Sequence, residues 1–362
     1  MRYIRIQYFA LFLFLLWSGF TSCKTTSNTR KPVPVVKMKK QAILGSDIFV
    51  RIKVLPKGGK VTKATLLLNG KKLEELKNFD CQIKLPLESL RLGRNRVTIE
   101  ALKDNGKLGV TNKEIVLFSS KKPQEIEYKV EKTFTHYQSH FTEGLEFNNG
   151  LLYESTGEHG TSGIYKIDLT TNKVVDSVSL DKEYFGEGVT LLNGNLYQLT
   201  YKKQKAFVYR DSDMKKIKEF TFPNKEGWGL TNDGESLIMS DGSSVLYFVD
   251  PSTFKETKRI EVFSNSREFT YLNELEYVKG YIYANVWTTE DIVKIDSQTG
   301  EVVAIISLTG LTNSAQISSK KTIDVMNGIA YNEKEKSLYV TGKYWPKLYK
   351  ISLYEKGKRV NP

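Results

Sequence analysis

Cysteine is nearly missing from this 362-residue chain, with only Cys23 and Cys81, and histidine is as sparse, at positions 136, 140 and 159. Two thiols supply no disulfide framework and no Cys-based metal site. Three histidines make a poor start for a zinc enzyme. His136 and His140 stand four apart, but Phe134, Tyr137 and Phe141 around them do not read as a helix, so no metal ligation is expected there. Helix-period patterns are scarce, and with 20 Tyr and 18 Phe this favours an all-β class. The formal charge of +13 comes without a basic cluster. Lysines and arginines are scattered, often in pairs such as 39–40, 71–72 and 320–321, which reads as solvated surface and excludes nucleic acid as the expected partner. The uncharged run Phe9–Trp17 is too short to span a bilayer as a stable helix.

That run fits a targeting segment instead. Arg2 and Arg5 supply its positive end, and "GFTSC" closes it at Cys23. Small residues followed by a cysteine resemble a bacterial lipoprotein signal, with Phe20 where Leu is usual. The expectation is a signal over 1–22, lipidation of Cys23 and a hydrated tether over 23–34. The protein would then sit in the bacterial cell envelope, periplasmic or outer-membrane, with the membrane as a partner through its lipid. Cys81 would be the one thiol left.

Residues 35–120 read as short strands and turns. "DIFVRIKVLP" alternates apolar and polar residues, and "KATLLLNGKKL" carries an Asn-Gly hairpin turn. "NRVTIEALKDNGKLGV" supplies two more strands about a second Asn-Gly, with "DCQIKLPL" between the two hairpins. The expectation is a small immunoglobulin-like β-sandwich, although the Cys…Trp…Cys hallmark is lacking. "SSKKPQEIEY" reads as the linker to a second region.

From about 126 to 354 the chain repeats. "GIYKIDL", "KAFVYRD", "SVLYFVDP", "DIVKIDS" and "KLYKISL" recur roughly every 40–55 residues. Each is preceded by a second strand ("LLYEST", "NLYQLT", "SLIMSD", "YIYANV", "SLYVTG") and a third ("EGLEF", "EGVTL", "WGLTN", "NELEY", "NGIAY"). A repeat of this length built from antiparallel strands predicts a five-bladed β-propeller. "YKVEKTFTH", at 128–136, is expected to complete the last sheet and close the ring.

Register alone then points to a site. The first strand of each unit lines the channel and the second returns beside it, so the start of one and the end of the other share a mouth. Just before strand one stand Glu143, Glu187, Trp228, Asn273 and Asn327; four places after the shared Tyr/Ile of strand two stand Gly157, Tyr201, Gly242, Trp287 and Lys343. A repeat kept only for packing would hold similar residues at such positions. Acids, amides, aromatics and a lysine converging on one opening suggest chemistry. Each also has a structural alternative: the acids as turn acceptors, the tryptophans as plugs, the asparagines as strand-entry residues, the lysine as a solvated turn residue. No Ser has a plausible His–Asp partner for hydrolysis.

The run from "FTEGLEF" through "FGEGVTLLNGNLYQLTY", "GWGLTNDG", "LNELEY", "YIYANVWTTEDIVKIDSQTGEV" and "MNGIAY" to "TGKYWPKLY" strongly resembles the plant and bacterial glutaminyl-peptide cyclotransferases of papaya type. The resemblance covers about 130–353. It implies conversion of N-terminal glutamine of peptides and proteins to 5-oxoproline with release of ammonia, no cofactor in catalysis, and a five-bladed propeller. It implies Glu187 as the proton relay, with Asn273 and Lys343 at the developing oxyanion and Lys343 alternatively orienting Glu187. Phe141, Phe185, Trp228 and Trp287 would line the pocket and hold the substrate. The family often has Gln where this chain has Glu143, and Trp where it has Tyr201. Glu143 is expected to attract the substrate ammonium and to raise the pKa of Glu187. The glycines beside Glu187 are expected to leave room for substrate backbone. A structural calcium or zinc in the channel is compatible with such a fold but is not legible in the residues.

Two other classes fit parts of the pattern. A non-catalytic envelope propeller that binds peptides or partner proteins would dispense with the acid or the lysine at the mouth. A lactonase-type hydrolase would hold calcium with Glu143, Glu187, Asn273 and Asn327, but the tryptophans and a lysine ammonium make a poor divalent-cation site.

Overall fold

The computed structural model describes residues 30–362. The expected signal segment, Cys23 and the first part of the tether lie outside those residues.

Residues 33–118 build two facing sheets from β1 (Val33–Lys37), β2 (Gln41–Ile43), β3 (Phe49–Leu55), β4 (Val61–Leu68), β5 (Lys71–Glu75), β6 (Asp80–Lys84), β7 (Gly93–Lys103) and β8 (Leu108–Phe118). One sheet has the order β1-β3-β6 and the other β2-β8-β7-β4-β5. The period-2 patterns dictate the packing. Val50, Ile52 and Val54 of β3 meet Leu66, Leu68, Val97, Ile99 and Ile115 of the larger sheet in one core. The β4–β5 hairpin turns on Asn69 and Gly70, both with positive φ (52° and 81°), as a tight two-residue turn requires. β1 begins two residues inside the expected tether. Its Pro34 is tolerated because β1 is an edge strand, paired only with β3.

The rest of the described chain opens with β9 (Gln124–Thr135) and continues in runs of four strands. Three are separate antiparallel sheets: β10 (Thr142–Asn148), β11 (Leu151–Thr156), β12 (Gly163–Asp168) and β13 (Lys173–Ser179); β14 (Gly186–Leu192), β15 (Asn195–Thr200), β16 (Lys205–Arg210) and β17 (Lys216–Thr221); β18 (Leu230–Asn232), β19 (Leu237–Met239), β20 (Val245–Val249) and β21 (Glu256–Glu261). Next come β22 (Leu272–Val278), β23 (Tyr281–Val286), β24 (Asp291–Asp296) and β25 (Val302–Ser307), and then a short helix, α1 (Leu311–Ile317). After it run β26 (Met326–Asn332), β27 (Ser337–Gly342), β28 (Lys347–Glu355) and β29 (Lys358–Val360). The strand expected at 128–136 belongs to β9, which pairs antiparallel with β28 and touches β25 in parallel over three residues. The first strands neighbour one another in the cycle β10, β14, β18, β22, β26 and back to β10. The architecture is all-β and propeller-like.

Each first strand exposes a sheet edge to the central channel, so its backbone groups need partners from elsewhere. Buried side chains supply them. Glu274 on β22 accepts from the amides of Leu145 on β10 (3.0 Å) and Ile329 on β26 (2.8 Å). Glu276 accepts from the Tyr331 amide (2.7 Å), and Asn285 from the Gly328 amide (2.9 Å). These ties brace the strands that carry the site.

The two parts of the chain are joined by more than the linker. Arg94 of β7 reaches Glu268 (2.8 Å) and Glu261 (3.0 Å), and the Ser119 hydroxyl donates to Glu301.

Candidate active site

Four backbone hydrogen bonds repeat around the mouth. The amides of Gly157, Tyr201, Trp287 and Lys343 donate to the carbonyls of Phe141, Phe185, Tyr271 and Val325, at 2.8–3.0 Å. Each fixes a residue at the end of a second strand against one just ahead of the first strand of the same unit. These bonds hold the two sets of register positions together, and a cavity of about 180 Å³ opens at this mouth. It is lined by Phe141, Glu143, Phe185, Glu187, Tyr201, Trp228, Asn273, Trp287 and Lys343. All nine residues named for catalysis or substrate binding meet there. Of the other register positions, Asn327 lies beside Glu143, while Gly157 and Gly242 give up their space to aromatic rings. A Cβ at Gly157 would stand 2.4 Å from the Phe185 ring.

Glu187 is 5% exposed and sits where the β14–β15 ladder slips between Gly186 and Val189. Its flanking glycines serve a purpose other than the one expected. A Cβ at Gly188 would lie 2.3 Å from the Leu230 amide nitrogen, and one at Gly186 2.6 Å from the Thr156 carbonyl oxygen. The glycines admit neighbouring strands, not substrate backbone. Burial, then the Glu143 charge, push the Glu187 carboxyl well above the usual range, with Lys343 opposing them.

Lys343 is held by Glu143 rather than by Glu187. Its Nζ lies 2.7 Å from Glu143 Oε1 and 4.4 Å from the centroid of the Phe141 ring. Asn327 Nδ2 donates to the other Glu143 oxygen at 3.1 Å. Burial raises the Glu143 pKa to about 7, against the pull of Lys343. Asn273 is 3% exposed, and its Oδ1 has no protein partner. As an acceptor, that oxygen would be completed by an N–H or O–H donor.

The aromatic walls form two groups. Phe185 lies 5.9 Å from Phe141 and 5.7 Å from Tyr201, and Trp228 meets Trp287 edge to face at 5.7 Å. Glu226, not singled out in the sequence, fixes the Trp228 indole by accepting from Nε1 at 3.1 Å. It stands two places before Trp228, the register that Phe141 and Phe185 hold in their own units, and that position is the signal that could have found it.

The two histidines set aside as ligands belong to a buried cluster. His136 Nε2 and His140 Nδ1 lie 3.0 and 2.8 Å from the two oxygens of Glu154, and Thr142 donates to the first at 2.7 Å. His136 Nδ1 meets the Trp345 carbonyl at 2.7 Å. Burial opposes ionisation of Glu154, but His136 and His140 outweigh it and hold the carboxyl far below its ordinary range. Burial also works against a charged His136, and Glu154 outweighs that too. One ligand atom from each of His136, His140 and Glu154 lies within 4.8 Å of the others, so this buried cluster has the make-up of a metal site as well as of a hydrogen-bonded one. Among the described residues, no helix is long and apolar enough to cross a membrane.

Comparison with known proteins identifies the family. The family model for glutamine cyclotransferase matches residues 106–353, taking in the whole of β8 and the end of the turn before it. A glutaminyl-peptide cyclotransferase of Arabidopsis thaliana is 43% identical over 228 residues, 63% of this chain and 71% of the relative. The crystal structure of Myxococcus xanthus glutaminyl cyclase superposes with a TM-score of 0.61 at 29% identity, covering 66% of this chain and all of that one. With the match spanning every residue of the mouth, this chain belongs to the glutamine cyclotransferase family of enzymes.

Proposed function

We propose that this enzyme cyclises the N-terminal glutamine of peptides and proteins, an acyl transfer within one substrate. The γ-acyl group passes from the side-chain amide nitrogen to the α-amine. A carbon–nitrogen bond forms to close the lactam, and the bond to the departing nitrogen breaks. The proton lost by the α-amine leaves with that nitrogen as ammonia. The transfer balances without a redox partner or cofactor.

One observation carries the reading: an acid with a raised pKa faces a cavity that also holds an amide, a lysine and two indoles. Glu187 takes the proton from the attacking amine and delivers it to the leaving nitrogen, and an acid shifted upward is suited to both steps near neutral pH. Asn273, through its Nδ2 donor, and Lys343 bear on the carboxamide oxygen as it gains charge. Trp228 and Trp287 hold the side chain folded back on its own amine, the conformation that makes attack intramolecular. Glu143 balances Lys343, and its second oxygen is suited to the substrate ammonium.

The finer fold reading is part of the proposal. Support for five blades comes from the five first strands in cyclic contact, and support for an immunoglobulin-like sandwich over 35–120 from its two facing sheets. The propeller domain is taken as 126–354. A lipid anchor at Cys23 and an envelope location rest on the sequence between Arg2 and Cys23 alone. The test is ammonia release, by coupled assay, from a glutamine-initiated dipeptide, with the lactam identified by mass. Turnover of that peptide without ammonia, or no turnover at all, removes the proposal.

A further inference from the structure

The mouth carries an aromatic residue that the reaction above does not use. Tyr271 stands two places before Asn273, the register position that Phe141 and Phe185 hold before Glu143 and Glu187. Its carbonyl accepts from the Trp287 amide, as theirs do from Gly157 and Tyr201. Phe141 and Phe185 are partly buried in the cavity wall, whereas Tyr271 is 52% exposed. Its ring centroid lies 5.9 Å from Trp287, which is itself 37% exposed and 5.7 Å from Trp228. The three rings form a continuous ramp from the cavity wall to solvent.

The backbone supplies a second, independent observation. Tyr271 has a φ of 60°, in the left-handed region where a bulky side chain is strained and glycine is relaxed. Strain of this kind persists where the surroundings or a function require it. An exposed ring gains little burial to offset it.

The cavity itself is small. Its volume of about 180 Å³ falls below the ~300–1,000 Å³ of pockets that enclose drug-sized ligands. It takes one side chain, so the residue after the glutamine must leave across the rim. We infer that Tyr271, with the exposed edge of Trp287, forms the subsite for that second residue and selects aromatic or apolar side chains there. The inference rests on the cyclisation reading and adds a specificity-determining residue to it.

The experiment compares kcat/KM for Gln-Phe-amide, Gln-Ala-amide, Gln-Glu-amide and glutaminamide. It uses the wild-type protein, Tyr271→Gly and Tyr271→Phe. Glycine accepts the left-handed backbone, so folding survives the deletion of the ring. The wild-type protein is expected to favour Gln-Phe-amide over Gln-Ala-amide. Tyr271→Gly should lose that preference by about fivefold, the scale of one aromatic pair, and Tyr271→Phe should keep it. An unchanged preference in Tyr271→Gly overturns the inference. So does an equal loss on all four substrates, which would assign Tyr271 to holding Trp287 in place. Failure of the wild-type protein to release ammonia from any of them would strike the cyclisation reading instead.

Discussion

Replacing Lys343 by methionine tests the electrostatics of the mouth, because it removes the cation and keeps most of the stem that packs on Phe141. Glu143 is the group left behind, 2% exposed and 2.7 Å from the lost ammonium. Its folded pKa of about 7 lies above the ordinary 4.5. For an acid shifted upward, the stability it contributes is fully present below the unfolded pKa and falls as pH rises towards the folded one. Above pH 7 the wild-type carboxylate ionises against Lys343. Without Lys343 its pKa rises further and it stays protonated. Each pH unit above 7 should then cost the variant about 1.4 kcal/mol more than wild type. The penalty is therefore near zero at pH 6 and grows to roughly 3 kcal/mol at pH 9, at the low end of the ~3–5 kcal/mol typical of breaking a fully formed buried pair. Urea unfolding of both proteins at pH 6, 7, 8 and 9 reads this directly. A penalty of equal size at pH 6 and pH 9 would refute the reasoning, since it would mean lost packing rather than an uncovered charge.

Three further outcomes are expected from the same geometry. Trp287→Ala should raise KM and lower kcat on glutamine-initiated peptides, because the indole shapes the bound conformer; unchanged kinetics would make it a plug. Arg94→Ala removes a partly exposed contact between the sandwich and the propeller-like part, worth about 1 kcal/mol after solvent screening. It should speed proteolysis in the 119–124 linker while leaving turnover intact, and unchanged cleavage would show that the latch contributes nothing. A zinc-selective chelator should leave ammonia release intact, and rapid inactivation would overturn the acid–base account.

The mouth is legible in the sequence because a repeat converts distance along the chain into register. Phe141 and Lys343 are about two hundred residues apart, yet both sit at countable positions of a recurring unit, so their meeting needs no knowledge of packing. Contacts outside the repeat leave no such mark. Glu154 reads as one more strand residue in "LLYEST", and only the closure of β9 onto β28 carries His136 and His140 to it. Glu274 and Glu276 look like the polar half of an alternating strand. Their use as partners for the channel-facing amides of β10 and β26 depends on the diameter of the ring. Glycine misleads for a related reason. "GEG" suggests room for substrate, but the room is taken by neighbouring backbone, the end of β11 against Gly186 and the first strand β18 against Gly188. Lys343 pairs with Glu143 rather than orienting Glu187, because sequence cannot rank two carboxylates that both line one cavity. The Arg94 latch joins residues some 170 positions apart with no motif at either end.

The most direct test of the account is the turnover of Glu187→Gln. The substitution keeps the shape of the side chain and removes a buried ionisable group, so the variant should unfold at no lower urea concentration than wild type. KM should change little, and kcat should fall by about 10²–10⁴-fold, the scale of lost acid–base catalysis. A folded Glu187→Gln protein with kcat within threefold of wild type would contradict the claim that this carboxyl carries the proton.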